Sequence, residues 1–303
     1  MSSEINPSPT AQKKRILFIV NPFSGISKKG KLAQQIEQHL DSHLFDFKIK
    51  NTQAAGHATE LAKEAIAQNF DMVVAVGGDG SVNEVAAALI GSETILGIIP
   101  AGSGNGFARH LGLSTKVVKA IQQLNHGKKI RIDTVKMNGR PFVNLAGLGF
   151  DGWVSYKLKQ SKLRGFLGYG KIVTQESFKF KAQTYQINID GKIMEEECLC
   201  LEIVNAPMFG YNFEIAPHAK FNDGILEMVV VKKMTPWKFP KLAWHSFHKT
   251  INESGLTKCY SGKNIKVKIV EETPVHMDGE GMLVNEDLEF SINPLSLSVW
   301  VPK

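Results

Sequence analysis

The stretch that decides the fold is Met72-Val-Val-Ala-Val76-Gly77-Gly78-Asp79-Gly80-Ser81-Val82-Asn83-Glu84. Met72–Val76 is a continuous apolar run, the length of a strand buried on both faces. Helical spacing begins at Val82 and continues to Ile90. Between them the glycines let the backbone turn and bring its N–H groups close to a ligand. The helix start adds a partial positive charge that favours a phosphate. Ser81 is expected to cap this helix, with Glu84 as its capping-box partner. A tight turn alone accounts for the glycines and the cap. It does not account for Asp79, a carboxylate placed where Mg²⁺ or a proton acceptor is useful.

The same pattern recurs on both sides. Ile95–Ile99 is a second buried strand, followed by Pro100-Ala-Gly102-Ser103-Gly104-Asn105-Gly106 and a helix at Phe107–Leu111. Ile16–Val20 is a third, followed by Asn21-Pro22-Phe23-Ser24-Gly25. Helical spacing also marks Gly30–Leu40, Ala58–Phe70 and Val117–Leu124, and Phe45–Lys50 reads as a strand. Strands alternating with helices imply right-handed crossovers and a parallel sheet covered on both faces. In such sheets ligands sit beyond the carboxyl ends of the strands. Three loops meeting there, with the hydroxyls of Ser24, Ser81 and Ser103, point to a nucleotide site.

After Gly127 the periodicity changes. Lys129–Met137 alternates, Asn138-Gly139 is a hairpin turn, and Pro141–Leu145 reads as the returning strand. One helical excursion is expected over Gly165–Phe180. Strands follow at Thr184–Ile189, Cys198–Val204, Ile225–Val231, Ile265–Val270 and Leu295–Val301, the pattern of an antiparallel sandwich or barrel. The expected organisation is a tail over residues 1–14, an α/β unit over 15–127 and a β-rich unit over 128–303.

Two glycine motifs are weighed and set aside. Gly25–Leu32 nearly matches the P-loop, but Leu32 stands where a Ser or Thr must hold Mg²⁺. Gly147-Leu-Gly149-Phe-Asp151-Gly152 matches the dinucleotide fingerprint, but no second parallel strand ends in an acidic residue about twenty positions on. It reads instead as a glycine-rich bend between strand and helix.

Composition bounds the rest. The 303 residues are 43% hydrophobic and 21% charged, which excludes a disordered or fibrous body. No apolar run nears the ~20 residues that span a bilayer, and Met1–Arg15 lacks the apolar centre of a secretion signal. Three cysteines form neither a disulfide framework nor a zinc spacing, so a cytoplasmic setting is expected. The net charge of +7 favours anionic partners. No dense basic block or aromatic-basic interleaving points to nucleic acid.

Asn21–Gly25, Gly77–Glu84 and Pro100–Asn105, in this order and spacing, resemble the catalytic domain of the diacylglycerol, sphingosine and ceramide kinases, a family that includes bacterial soluble lipid kinases. The resemblance runs from about Arg15 to Val301. It implies an α/β nucleotide unit, a β-sandwich unit and an active site between them, with ATP and Mg²⁺ as cofactors and a lipid alcohol met at the membrane surface as acceptor. Asn21, Pro22, Ser24, Gly25, Thr52, Gly77, Gly78, Asp79, Gly80, Ser81, Asn83 and Ser103 would bind ATP. Asp278-Gly279-Glu280 matches the family's D-G-E, which makes Glu280 the proton acceptor, with Asp79 and Asp278 beside it. Asp223, with the backbone carbonyls of Lys220 and Ile225, would hold a structural Mg²⁺. Asp151 stands near the acceptor head group. Asp278 and Glu280 lie two apart, so an extended strand would turn both the same way. Gly106 departs from the family, many bacterial members having Asp there, and Gly-Ser-Gly-Asn is closer to the sphingosine kinases. An NAD kinase-like enzyme and a non-catalytic nucleotide-binding regulator remain as alternatives. The Asn-Pro-x-Ser-Gly start and the late Asp-Gly-Glu argue against the first, and retention of Asp79 with Glu280 against the second.

Overall fold

A computed structural model describes residues 13–24, 29–161, 163, 165–208 and 213–303. The first half runs β1 (Lys14–Val20), α1 (Lys29–His39), β2 (Phe45–Asn51), α2 (His57–Ala67), β3 (Met72–Gly77), α3 (Asp79–Leu89), β4 (Ile95–Pro100), α4 (Gly106–His110) and α5 (Val117–Asn125). The second runs β5 (Gly127–Met137), β6 (Arg140–Phe142), β7 (Leu145–Gly149), α6 (Phe150–Gln160), α7 (Gly165–Glu176), β8 (Gln183–Ile189), β9 (Lys192–Val204), β10 (Leu226–Lys232), α8 (Phe239–Phe247), β11 (Thr257–Gly262), β12 (Asn264–Val267), β13 (Thr273–Met277), β14 (Glu280–Val284) and β15 (Leu288–Pro302).

β4, β3, β1 and β2 lie side by side in that order, all parallel. β3 and β4 are buried along their whole length because helices cover both faces. The chain leaves β1 for β2 on one side and returns to β3 on the other. This reversal of direction opens the crevice where α/β sheets take ligands.

The second half is antiparallel and encloses its own apolar core, with Leu201, Ile203, Met228, Val230 and Phe290 among its buried members. The expected α/β part followed by an antiparallel sandwich is therefore what the chain forms. β15 connects the halves: it pairs antiparallel with β5 and β12 and parallel with β4.

Two local expectations need correction, and one helix was not expected. Pro141–Leu145 is not one strand; β6 ends at Phe142 and β7 begins at Leu145. The helical excursion expected over Gly165–Phe180 ends earlier, at Glu176, while α6 is the helix expected after the glycine-rich bend. α8 was hidden by the two prolines that flank its start, Pro236 and Pro240. The three glycines of the dinucleotide-like motif serve close packing. A Cβ on Gly147 would lie 2.1 Å from a Glu202 carboxylate oxygen, one on Gly149 2.7 Å from the Leu199 carbonyl oxygen, and one on Gly152 2.3 Å from the Pro274 carbonyl oxygen.

Candidate active site

The carboxyl ends of β1, β3 and β4 bring the first-half loops together. Asn21 Nδ2 donates to Ser81 Oγ at 3.1 Å, which fastens the β1 loop to the first turn of α3 across the switch point. Ser24 Oγ donates to the Asn21 carbonyl at 2.6 Å, and Pro22 lies in the turn between them. Gly25 lies outside the described residues. Thr52 follows β2 and is held by its N–H on the Val20 carbonyl at 2.9 Å. Asn83 sits on the second turn of α3 with Oδ1 buried and without a donor from the protein.

The expected capping box does not form. α3 begins at Asp79, ahead of Ser81, and Ser81 Oγ serves Asn21 instead. The Glu84 carboxylate reaches another helix, accepting the Ala58 N–H in the first turn of α2.

The two glycine loops touch. A Cβ on Gly102 would lie 2.5 Å from Gly78 Cα, so neither loop has room for a side chain at the contact. A Cβ on Gly77 would meet Ser81 Oγ at 2.5 Å, whereas Gly80 faces open space. Asn105 closes the second loop on Gly102: Oδ1 accepts its N–H at 2.9 Å and Nδ2 donates to its carbonyl at 2.7 Å. The Asp79 carboxylate faces the backbone N–H groups of Phe107, Asn105 and Gly106. Burial raises its pKa, and those N–H groups oppose the shift. Gly106, the position where many bacterial members have Asp, thus brings only a backbone N–H toward Asp79.

Asp278 completes this edge from the second half. Its carboxylate accepts the N–H groups of Val143, Asn144 and Leu145 at 3.0 to 3.2 Å. Burial nevertheless pushes its pKa up to about 6, with the charge of Asp79 adding to the rise. Both carboxylates line the same cavity.

Glu280 is placed differently. Asp278 and Gly279 both take positive φ, 48° and 83°, as the two central residues of a tight hairpin between β13 and β14. The segment is a turn and not extended, so Asp278 and Glu280 do not face the same way. Glu280 is exposed at the start of β14, with Lys159 Nζ at 2.7 Å. It does not line the cavity, though its neighbour Gly279 does.

That cavity, about 550 Å³, begins at Gly78–Gly80 and Gly102–Gly104, including Ser103, and extends into the second half between α6, α7 and α8. Leu158, Val173, Phe239 and Leu242 give it apolar walls. Its polar floor is a cluster that sequence reasoning found only in part. Asp151, at the start of α6, lies 2.7 Å from His276 Nε2, and Glu202 lies 3.1 Å from the same nitrogen. Tyr169 Oη donates to Asp151 Oδ1. Asp151, Glu202 and His276 are all buried. Burial favours neutral imidazole, but the two carboxylates outweigh it and push His276 up to about 10. Glu202, desolvated and repelled by Asp151, is pushed up to about 7. Asp151 also feels desolvation, but the imidazolium holds its pKa below the usual value. Glu202 carried one sequence signal, a lone carboxylate inside the apolar run Cys198–Val204; His276 carried none beyond its nearness to Asp278-Gly279-Glu280. Among the described residues these three are the one set of His, Cys, Asp or Glu side chains close enough to share an ion.

Asp223 lies elsewhere, exposed, in a turn where its carboxylate accepts the Ile225 N–H at 3.1 Å. Buried Asp133 pins this loop by accepting from Gly224 N at 2.8 Å and Leu295 N at 2.7 Å.

Both halves of the chain resemble known proteins. The diacylglycerol kinase catalytic domain model matches residues 15–137. The YegS C-terminal NAD kinase beta sandwich-like domain model matches residues 144–301. Diacylglycerol kinase of Bacillus subtilis strain 168 is 31% identical over 282 residues, covering 90% of this chain and 92% of the relative. That of Staphylococcus carnosus strain TM300 is 29% identical, covering 88% and 89%. A crystal structure of a diacylglycerol kinase from Bacillus anthracis strain Sterne shares the fold, with a TM-score of 0.73 at 23% identity over 96% of this chain and 97% of that one. Both halves match in order and nearly to their full length: the chain belongs to the diacylglycerol kinase catalytic-domain family, the lipid kinases that phosphorylate an alcohol group.

Proposed function

We propose that the protein transfers the γ-phosphoryl group of ATP to the hydroxyl of a lipid alcohol, diacylglycerol-like or sphingoid, drawn from a membrane surface. One observation carries this reading. A single cavity joins backbone loops suited to phosphates with apolar walls suited to acyl chains, and Asp79 and Asp278 stand where the two meet. On this reading residues 15–127 form the nucleotide unit and 128–303 the lipid unit.

Phosphoryl transfer asks for positioning and charge neutralisation more than for covalent chemistry. The N–H groups at Gly78–Gly80 and the start of α3 would receive the phosphates, with Asn21, Ser24, Ser81 and Ser103 around them and Thr52 at the nucleoside side. Asp79 and Asp278 offer carboxylate oxygens from the lining of one cavity, the hard ligands a divalent cation takes, and a cation held there would offset their charge. Mg²⁺ bound there would neutralise charge on the transferred group. Asp223, with the carbonyls of Lys220 and Ile225, offers an oxygen-only set at the surface, the type Mg²⁺ accepts while keeping several waters. Glu280, oriented by Lys159 beside the cavity mouth, would take the proton of the acceptor hydroxyl. A second reading gives that proton to Asp79, which lines the cavity and whose pKa is already raised. Asp151, fixed by His276 and Tyr169, would receive the acceptor head group.

Radiolabelled ATP supplied with total lipid extract, with NAD or with no acceptor tests the proposal. Labelled lipid, seen by thin-layer separation, is the expected product. Label transferred to the dinucleotide, or to nothing, would overturn it.

A further inference from the structure

Resting on the lipid-acceptor reading of the cavity, we infer that the aromatic rim formed by residues 236–249 and the segment following α7 is a docking surface for an anionic lipid bilayer, seating the cavity mouth against the membrane. The rim is exposed far beyond what packing needs. Trp237 is 81% exposed, Trp244 64%, Phe247 52%, Phe178 61% and Leu167, on α7, 84%. Single exposed apolar residues are ordinary, whereas a concentration of them marks a partner or a membrane.

Ring contacts make the rim continuous with the cavity. Phe178 meets Trp237 edge-on with centroids 5.8 Å apart, which joins the end of α7 to the turn before α8. Phe213, a cavity-lining residue, meets Phe247 at 5.9 Å. Trp244 stacks on His248 at 4.0 Å. α8 therefore presents Leu242 and Ser246 to the cavity and Trp244 and Phe247 to solvent. A lipid leaving a bilayer on which this rim rests would pass from one apolar surface to another.

Charge decides which occupant the rim fits. Residues 232–252 hold five lysines and no Asp or Glu. Residues 157–181 hold six lysines and one arginine against Glu176 alone. Lys159, Lys233 and Lys249 are paired with Glu280, Glu197 and Glu214 from other elements, and the surplus left among the described residues lies around the mouth. Lys171, Lys179, Lys181, Lys238 and Lys241 are all exposed there. Tryptophan with lysine is the composition of a membrane–water interface: the indole sits at head-group level and the lysines meet anionic lipid.

The test uses the full chain with vesicles of equal parts phosphatidylglycerol and phosphatidylcholine. Two variants, Trp237→Ser with Trp244→Ser and Lys179→Glu with Lys238→Glu, replace only exposed side chains, and circular dichroism checks their fold. Each is expected to lower co-sedimentation by about tenfold or more. Binding of the wild type should fall as salt rises or phosphatidylglycerol is withdrawn. Brominated lipid should quench wild-type tryptophan fluorescence and leave the double Trp variant, which keeps Trp153 and Trp300, unquenched. Both variants should phosphorylate monomeric dihexanoylglycerol at the wild-type rate. Wild-type co-sedimentation by the Trp variant overturns the proposal, as does a wild type that ignores vesicles. A self-association that the Trp variant dissolves, without vesicle binding, also overturns it, by making the occupant a second copy. Tryptophan-dependent vesicle binding by a protein that phosphorylates no lipid alcohol would leave this surface standing and remove the kinase reading instead.

Discussion

The two ends of the cavity are built on opposite principles. The phosphate-loop end is made of backbone: glycines too close to carry side chains, a helix start, and an asparagine closing its own loop. The floor is made of side chains, Asp151, Glu202 and His276, brought from a helix and two strands into contact with Tyr169. Backbone sites are encoded locally and stay close in sequence. A side-chain cluster needs the tertiary fold before its members meet, and each member alone is a liability in an apolar interior.

This contrast can be broken most sharply at His276. Removing one member of a buried ionic set typically costs 3–5 kcal/mol because it strands the remaining charges. His276→Ala is therefore expected to lower stability by about that amount, seen in urea unfolding. Replacing Asp151, Glu202 and His276 together by leucine should recover most of the loss while destroying activity toward lipid. A stable, active His276→Ala chain would show that the floor is not an ionic unit.

At the other end the expected effect is on turnover with the fold retained. Asp79→Asn keeps the shape and removes the charge, so turnover should fall by about 10³-fold with an unchanged melting curve. Asp278→Asn should chiefly weaken Mg²⁺ dependence, read by titrating the ion at saturating ATP. Glu280→Gln tests the proton acceptor: kcat should fall by about 10²-fold with little change in ATP affinity. If Glu280→Gln is silent and Asp79→Asn is not, the proton belongs to Asp79.

The effect spread over the widest range of conditions is a pH slope. His276 rises from an ordinary 6.5 to about 10, and Glu202 from 4.5 to about 7. A group whose folded pKa is raised lends stability that is complete below its unfolded pKa and is lost as pH rises through the folded one. Glu202 loses its share between about pH 4.5 and 7, and His276 its share between about 6.5 and 10. Both act in one direction, so the melting temperature should decline from neutrality toward pH 10. The triple-leucine chain should lack that decline. A wild-type curve flat over this range would contradict the assigned imidazolium.

What could be read from the sequence divides along the same line. Strands β1, β3 and β4 and their loops were legible because buried parallel strands are unbroken apolar runs and phosphate loops need glycine at fixed offsets. Asp79 was legible because the turn itself gave no reason for it. That Asp79 and Asp278 belong to one cavity had no local signal, since 199 positions separate them. Asp278 and Glu280 were misplaced relative to each other because Met277–Glu280 reads equally as strand or turn; only the positive φ of Asp278 and Gly279 separates them. Ser81 and Glu84 carry a sound capping signal, but tertiary partners, Asn21 and Ala58, took both side chains. His276 has no local signature at all.

β15 has a consequence for the order in which this molecule can be made. Val299 pairs with Leu96 more than two hundred positions earlier. Until that strand emerges from the ribosome, β4 presents an open apolar edge, a template for pairing with another chain. A contact this distant is slow to find, and β4 waits for the whole intervening second half to be made before gaining it. The parallel sheet is first in the sequence and among the last parts to be sealed. A newborn chain is therefore most exposed to misassembly while its first half waits for that strand.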